Sequence, residues 1–301
     1  MTECERLISN GSFTPDFFKE EVRCDFLVTE ERKKIWAIQL DLFRQFKEVC
    51  DSEGLRYFAI FGTLLGAIRH GGYIPWDDDM DFGMPRDDYD RFCGMQDRFA
   101  HPYELQIPGT GDYFYSFAKI RNSETTFMSQ AFRHCKFNQG ICIDIFPMDK
   151  WNYEKGRLSY LEIDRLNRDN SAYLRRGTPN PDEATRQRIM AWSGRHGQEN
   201  LDRINFLAKQ FYGDPAADRL CAAVLTTYAY EKVAFPSCWF EDTKEISFEG
   251  GCARMTIPLQ YEKILKMNYG DWHQYPPQNQ QGTWHSGIVV DTDLPYTEYI
   301  G

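Results

Sequence analysis

The chain has 301 residues, of which 42% are hydrophobic and 27% charged, and its formal net charge is −10. That length allows one large domain or two small ones with a real core, and the composition excludes disorder, collagen and coiled coil. The acidic balance argues against a general nucleic-acid binder.

Residues 1–28 show no clear period and are read as a wrap over the surface. From Thr29 the pattern is helical: Ile35, Ile38, Leu42, Phe46 and Val49 recur at steps of three and four. Thr29 can cap this helix, Glu30 and Glu31 suit its first turn, and Gly54 ends it. Tyr57–Phe61 is a short apolar run expected as a buried strand, and Leu64–Ile68 a short helix directly after Gly62-Thr63. His70-Gly-Gly and Pro75 mark a loop. Asp79–Met84 alternates polar and apolar residues and reads as a strand, after which Pro85 opens a helix to about Phe99. Further strands are expected near 103–107, 113–121 and 140–146.

Beyond Trp151 the pattern becomes mostly helical over 153–175 and 182–231. Short strands follow over 237–257 around Gly250-Gly251, then a helix from Tyr261 to Met267, then a loop to the end. The division expected is a wrap over 1–28, a core over 29–150, and a mainly helical region over 151–301 packed on that core. Alternating strands and helices followed by consecutive strands indicate an α/β (α+β) fold, with a mixed sheet flanked by helices.

The nine cysteines form no CxxC pair, which speaks against a zinc ribbon or redox motif. The amino terminus lacks a basic and apolar leader pattern, and no apolar run reaches 18 residues. The expected location is the cytoplasm, compatible with peripheral contact at the inner face of a membrane.

The chemistry concentrates between Gly62 and Phe92. Four carboxylates lie within Trp76-Asp-Asp-Asp-Met-Asp81, and residues 77–90 hold seven Asp. A solvated acidic face is the plainer reading. Against it stand the flanking Ile74, Trp76, Met80 and Phe82, which favour burial. On a strand Asp79 and Asp81 share one face, and buried neighbouring carboxylates repel unless a cation lies between them. Oxygen ligands suit Mg²⁺, Mn²⁺ or Ca²⁺, but an EF-hand loop fails, because its sixth and twelfth places hold Phe82 and Asp88. Mg²⁺, which takes one or two carboxylates plus substrate phosphates, fits better.

Two further features point the same way. Gly62-Thr63, between a strand and a helix start, offers backbone N–H groups to an anion sixteen residues before Asp79. Asp144, in the apolar run Gly140-Ile-Cys-Ile-Asp-Ile-Phe146, is either bound to backbone amides or an Arg, or is the third carboxylate of a cation site.

The run Phe61-Gly-Thr-Leu-Leu-Gly-Ala-Ile-Arg-His-Gly-Gly-Tyr-Ile-Pro-Trp-Asp-Asp-Asp-Met-Asp-Phe-Gly-Met-Pro-Arg-Asp-Asp-Tyr-Asp-Arg-Phe92 resembles the signature of the LicD family. That family includes bacterial phosphorylcholine transferases and fukutin-related ribitol-phosphate transferases. The resemblance covers about residues 30–150, with a weaker echo at Tyr269-Gly-Asp-Trp and from Pro276-Pro277 to His285. It implies a nucleotidyltransferase-like fold in which Gly62 and Thr63 hold phosphates and Asp79, Asp81 and Asp144 bind Mg²⁺ or Mn²⁺. Lys119 and Arg121 also match a family segment and are candidate diphosphate clamps; Arg69 and His70 are candidate phosphate or sugar contacts. The tail reads Pro276-Pro-Gln-Asn and Thr283-Trp-His-Ser286 rather than Pro-Pro-Glu-Glu and a His pair, which leaves His285 a weak site. No cysteine cluster like the zinc site of the animal members is present.

The expected activity is metal-dependent transfer of a phospho-alcohol, phosphocholine first, from a CDP-alcohol donor such as CDP-choline. The acceptor is the hydroxyl of a sugar or lipid-linked glycan. Asp144 or Asp77 is the candidate proton acceptor. A choline cage is sought among Tyr73, Trp76, Trp284 and Tyr113-Phe-Tyr115. The alternatives are an Asp-x-Asp glycosyltransferase using a nucleotide sugar, which the Gly-Thr turn and the third Asp disfavour, and a non-catalytic module keeping the fold.

Overall fold

The computed structural model describes residues 2–178, 181–192, 194–225, 228–282 and 288–300. Its helices are α1 (Glu3–Ser9), α2 (Glu30–Glu53), α3 (Phe61–Arg69), α4 (Arg86–Cys93), α5 (Tyr153–Leu174), α6 (Glu183–Ala191), α7 (Gly194–Lys209) and α8 (Tyr261–Tyr269). Its strands are β1 (Glu21–Arg23), β2 (Phe26–Val28), β3 (Phe58–Ala59), β4 (Asp81–Pro85), β5 (Tyr103–Gln106), β6 (Ala118–Asn122), β7 (Thr126–Ser129), β8 (Cys142–Trp151), β9 (Arg219–Cys221), β10 (Ala234–Pro236), β11 (Thr243–Phe248), β12 (Ala253–Pro258) and β13 (Ile288–Asp291).

The main sheet runs β10-β9-β8-β4-β3, and β6 joins β8 and carries β5 beside it. β4 and β8 are parallel, whereas β3, β6 and β9 pair antiparallel with their neighbours. This is the mixed α/β architecture expected from the sequence. The ten-residue β8 is its axis: its first half pairs with β6 and its second half with β9.

The α2 stripe is buried along its whole length, from Ile35 to Val49. Thr29 caps it through its hydroxyl, and Gly54 ends it at φ 64°, ψ 36°, a left-handed geometry that favours glycine. Phe43 and Phe46 of α2 meet Phe82 of β4, with the Phe43 and Phe82 rings stacked at 4.9 Å. Burying each such ring stabilises the fold by roughly 1.5–3 kcal/mol, and this packing fixes which face of β4 turns inward.

Several sequence expectations are corrected. The strand expected at Tyr57–Phe61 stops at Ala59, and Phe61 already begins α3. The helix after Pro85 ends at Cys93. Of the expected strand 113–121 only 118–121 is regular, within Ala118–Asn122, because Tyr113 and Phe114 turn into a second apolar cluster with Phe137 and Trp192. The helical reading of 182–231 holds only to Lys209; beyond it β9 and β10 extend the main sheet, so the region after Trp151 shares the core's sheet. The tail, expected as loop, contributes β13, which pairs antiparallel with β7. Among the described residues no helix is long and apolar enough to cross a membrane.

Candidate active site

Asp81 opens β4, and Asp144 is its direct partner across the parallel β4–β8 register. Partnered residues in adjacent strands project from the same face, so the two carboxylates stand side by side while Phe82 and Ile145 are buried opposite. The backbone N–H of Asp144 donates to the carbonyl of Met80 at 2.8 Å, locking that register. Asp77 and Asp79 lie in the loop immediately before β4. The loop's path is held by α2: a guanidinium N–H of Arg32 and the indole N–H of Trp36 donate to the carbonyl of Asp77 at 2.7 and 3.0 Å.

This crowding shows in the acidities. Burial pushes the Asp81 carboxyl well above the usual carboxylate range, and the charges of Asp79, Asp144 and Asp77 push it further, with Lys119 opposing. Asp77 is raised in the same way, by burial and then by Asp79, with which it shares a side-chain hydrogen bond.

Lys119 of β6 sits opposite Asp144, and its Nζ lies 2.5 Å from Oδ1. Burial works against the Lys119 ammonium, but Asp144 and Cys142 outweigh it and raise its pKa. Arg121 shares the face of Lys119, yet it is buried and donates to the side-chain oxygen of Gln106 and the carbonyl of Gly140, both at 2.8 Å. It is therefore turned into the fold, and only Lys119 reaches the carboxylates.

Gly62 and Thr63 lie in the first turn of α3, whose backbone N–H groups lack intrahelical acceptors. The turn is tight. Phe61 adopts φ 45°, an uncommon conformation for a non-glycine residue, and its ring stacks on Tyr228 at 4.8 Å. A Cβ at position 62 would stand 2.8 Å from Oδ2 of Asp77, so glycine permits the close approach of that carboxylate.

Arg69, His70 and Trp76 come together, but around the tail. Arg69 donates to the carbonyls of Trp272 and Gln274 at 2.9 and 3.1 Å and lies over the Tyr275 ring at 5.1 Å. His70 stacks on Tyr275 at 5.5 Å, and Trp76 meets both rings edge-on. Burial, reinforced by Arg69 and Arg23, lowers His70 to about 4, so it is neutral at physiological pH. Of the cage candidates, Tyr73 is buried and stacked on Trp36 at 4.5 Å, while Tyr113 and Phe114 belong to the second cluster. Trp284 and His285 lie outside the described residues.

Tyr228 escaped the sequence reading, and Tyr269 entered it only within the weaker echo Tyr269-Gly-Asp-Trp. Their hydroxyls are hydrogen-bonded to each other, and both are raised by burial and then by surroundings that include Asp81 and Asp77. They thus bring two phenols to the acidic face from residues about 150–190 positions downstream.

The donor set is all oxygen, and Lys119 offsets only part of its crowded negative charge, as suits a hard divalent cation. Among the described residues no three His, Cys, Asp or Glu side chains are gathered closely enough to hold a metal alone. Two of these carboxylates, completed by phosphate oxygens, would suit such an ion. A cavity of about 180 Å³ at the other end of β4 and β8 is lined by Arg56, Arg86 and Lys150. Its Arg86 is paired with buried Asp149 at 2.7 Å, and the carboxylate cluster lies elsewhere.

Residues 54–165 match the model of the LicD/FKTN/FKRP nucleotidyltransferase domain. The chain is 27% identical over 261 residues to lipopolysaccharide cholinephosphotransferase LicD of Haemophilus influenzae, covering 82% of this chain and 92% of that protein. It is 43% identical over 122 residues to an uncharacterized protein of Rickettsia prowazekii, 36% of whose length is covered. Over 40 residues it is 50% identical to human ribitol 5-phosphate transferase FKRP, or 8% of that protein. The family resemblance read from the sequence is thereby borne out, and the matched stretch contains every carboxylate described above.

Proposed function

We propose that this chain, which carries a LicD-family nucleotidyltransferase domain, transfers a phospho-alcohol group from a nucleotide diphosphate donor to a glycan hydroxyl. The donor assigned first is CDP-choline, because the relative matched over 92% of its length is a cholinephosphotransferase. The match to a ribitol 5-phosphate transferase supports the broader reaction class with a different alcohol. The observation that carries the reading is the Asp81–Asp144 pair, side by side in β4 and β8 with Asp77 and Asp79 adjacent.

In this reading Asp79 and Asp81 would hold Mg²⁺ or Mn²⁺ beside the donor's diphosphate. Such a cation would supply positive charge to offset the phosphates and the departing nucleotide. The first turn of α3 at Gly62-Thr63 offers backbone N–H groups to the same diphosphate. Lys119 pairs with Asp144 and adds positive charge beside the phosphates. Asp77, lying against Gly62, accepts the proton of the attacking hydroxyl. Tyr228 and Tyr269 flank this face and present hydroxyls to the acceptor sugar.

The test is incubation with CDP-[¹⁴C]choline, CDP-ribitol or a UDP-sugar, Mg²⁺ and a lipopolysaccharide acceptor. Label from a CDP-alcohol should reach the glycan and cease with EDTA. Transfer only from the UDP-sugar would establish the glycosyltransferase reading instead.

A further inference from the structure

Gln39 sits on the inner face of α2 and is 2% exposed. Its Nε2 donates to two backbone carbonyls, of Asp78 at 2.7 Å and of Cys142 at 3.2 Å. Asp78 lies between Asp77 and Asp79, and Cys142 shares the β8 face of Asp144 two residues away. The β4–β8 register begins only at Asp81 and Asp144. A single amide therefore spans the two carboxylate-bearing segments just outside their paired stretch.

The other end of that side chain has no partner: among the described residues Oε1 is buried without a hydrogen bond. A buried unpaired acceptor is costly, and a methionine of similar volume would avoid the cost. What the amide supplies at this position is its two donors.

We propose that Gln39 is a positioning residue that sets the separation between the Asp77–Asp81 loop and the Asp144 strand. It acts through the Asp78 and Cys142 carbonyls. Its geometry stands by itself, while its consequence for cation binding rests on the function proposed above.

Gln139 provides a matched control. It is 1% exposed, donates to the carbonyls of Phe132 and Cys135 at 3.0 and 3.3 Å, and also has an unpartnered Oε1. Gln39→Met and Gln139→Met are compared with the wild type in two measurements. One is amide hydrogen exchange of peptides spanning 77–81 and 142–144; the other is Mn²⁺ binding followed by electron paramagnetic resonance. Gln39→Met is expected to speed exchange in both segments and to weaken Mn²⁺ by roughly 10–100-fold, the usual effect of losing a residue that orients metal ligands. Gln139→Met is expected to do neither. Should Gln39→Met fail to fold, Gln39→Asn keeps a donor but is one methylene shorter, and a smaller change of the same sign is expected. Exchange in the two segments no faster than in Gln139→Met overturns the proposal. Faster exchange together with a wild-type protein that binds no Mn²⁺ upholds the positioning role and overturns the cation site.

Discussion

The hydroxyl of Thr63 accepts the backbone N–H of Asp81 at 2.7 Å, joining the first turn of α3 to the first residue of β4. The first turn of α3 and the carboxylate-bearing strand are therefore one mechanical unit, and the side chain that joins them is buried.

Thr63→Val keeps the shape but leaves the Asp81 N–H without its acceptor. A loss of about 1–3 kcal/mol is expected in urea unfolding, with Thr63→Ser close to wild type. A Thr63→Val protein of unchanged stability would remove this link from the account.

Asp81→Asn relieves repulsion from Asp79, Asp144 and Asp77 in the metal-free protein. Its melting temperature without metal is expected to equal or exceed that of the wild type. Transfer is expected to fall by at least about 10²–10³, the scale of a lost electrostatic contact to the transition state. Near-normal transfer, or a fold that collapses, would speak against the site.

Gly62→Ala places a methyl group 2.8 Å from Asp77 Oδ2. The carboxylate must move, and a displacement of about 1 Å at a reacting group costs on the order of 10²-fold in rate. Melting should change little, since the clash is with a side-chain end. Full activity in this variant would show that Asp77 is not held against the first turn of α3 during reaction.

His70 sets a pH window. Its folded-state pKa is lowered from 6.5 to about 4, so the unfolded chain binds the proton first. Stability from the neutral ring is present above about 6.5 and is lost as pH falls through the folded value. In melts between pH 7 and pH 4, His70→Asn should show a shallower acid-side decline than the wild type. Parallel curves would mean that the ring is not held neutral against Arg69 and Tyr275.

Much of this was legible in the sequence because it is written in local periodicity. The α2 stripe, the alternation that buries Met80 and Phe82, and the polar face of β8 carrying Asp144 all follow from side-chain spacing. Spacing also places Lys119 and Arg121 on one face, but it is silent about neighbours. Lys119 meets Asp144 across the ladder, whereas Arg121 meets Gln106 from β5 and becomes structural. Gln39, Tyr228 and Tyr269 reach the site through tertiary packing alone, and β13 exists only because β7 offers it an edge. The helical pattern over 182–231 misled at β9, a three-residue strand that takes its conformation from β8.

The central claim is that Asp79 and Asp81 grip a divalent cation beneath a nucleotide diphosphate. Anomalous diffraction from crystals grown with Mn²⁺ and CDP-choline tests it most directly. The account expects a manganese peak bonded to oxygens of both carboxylates and of the diphosphate, with the phosphates lying against Gly62-Thr63. Manganese absent from those two aspartates while the nucleotide is bound would contradict it.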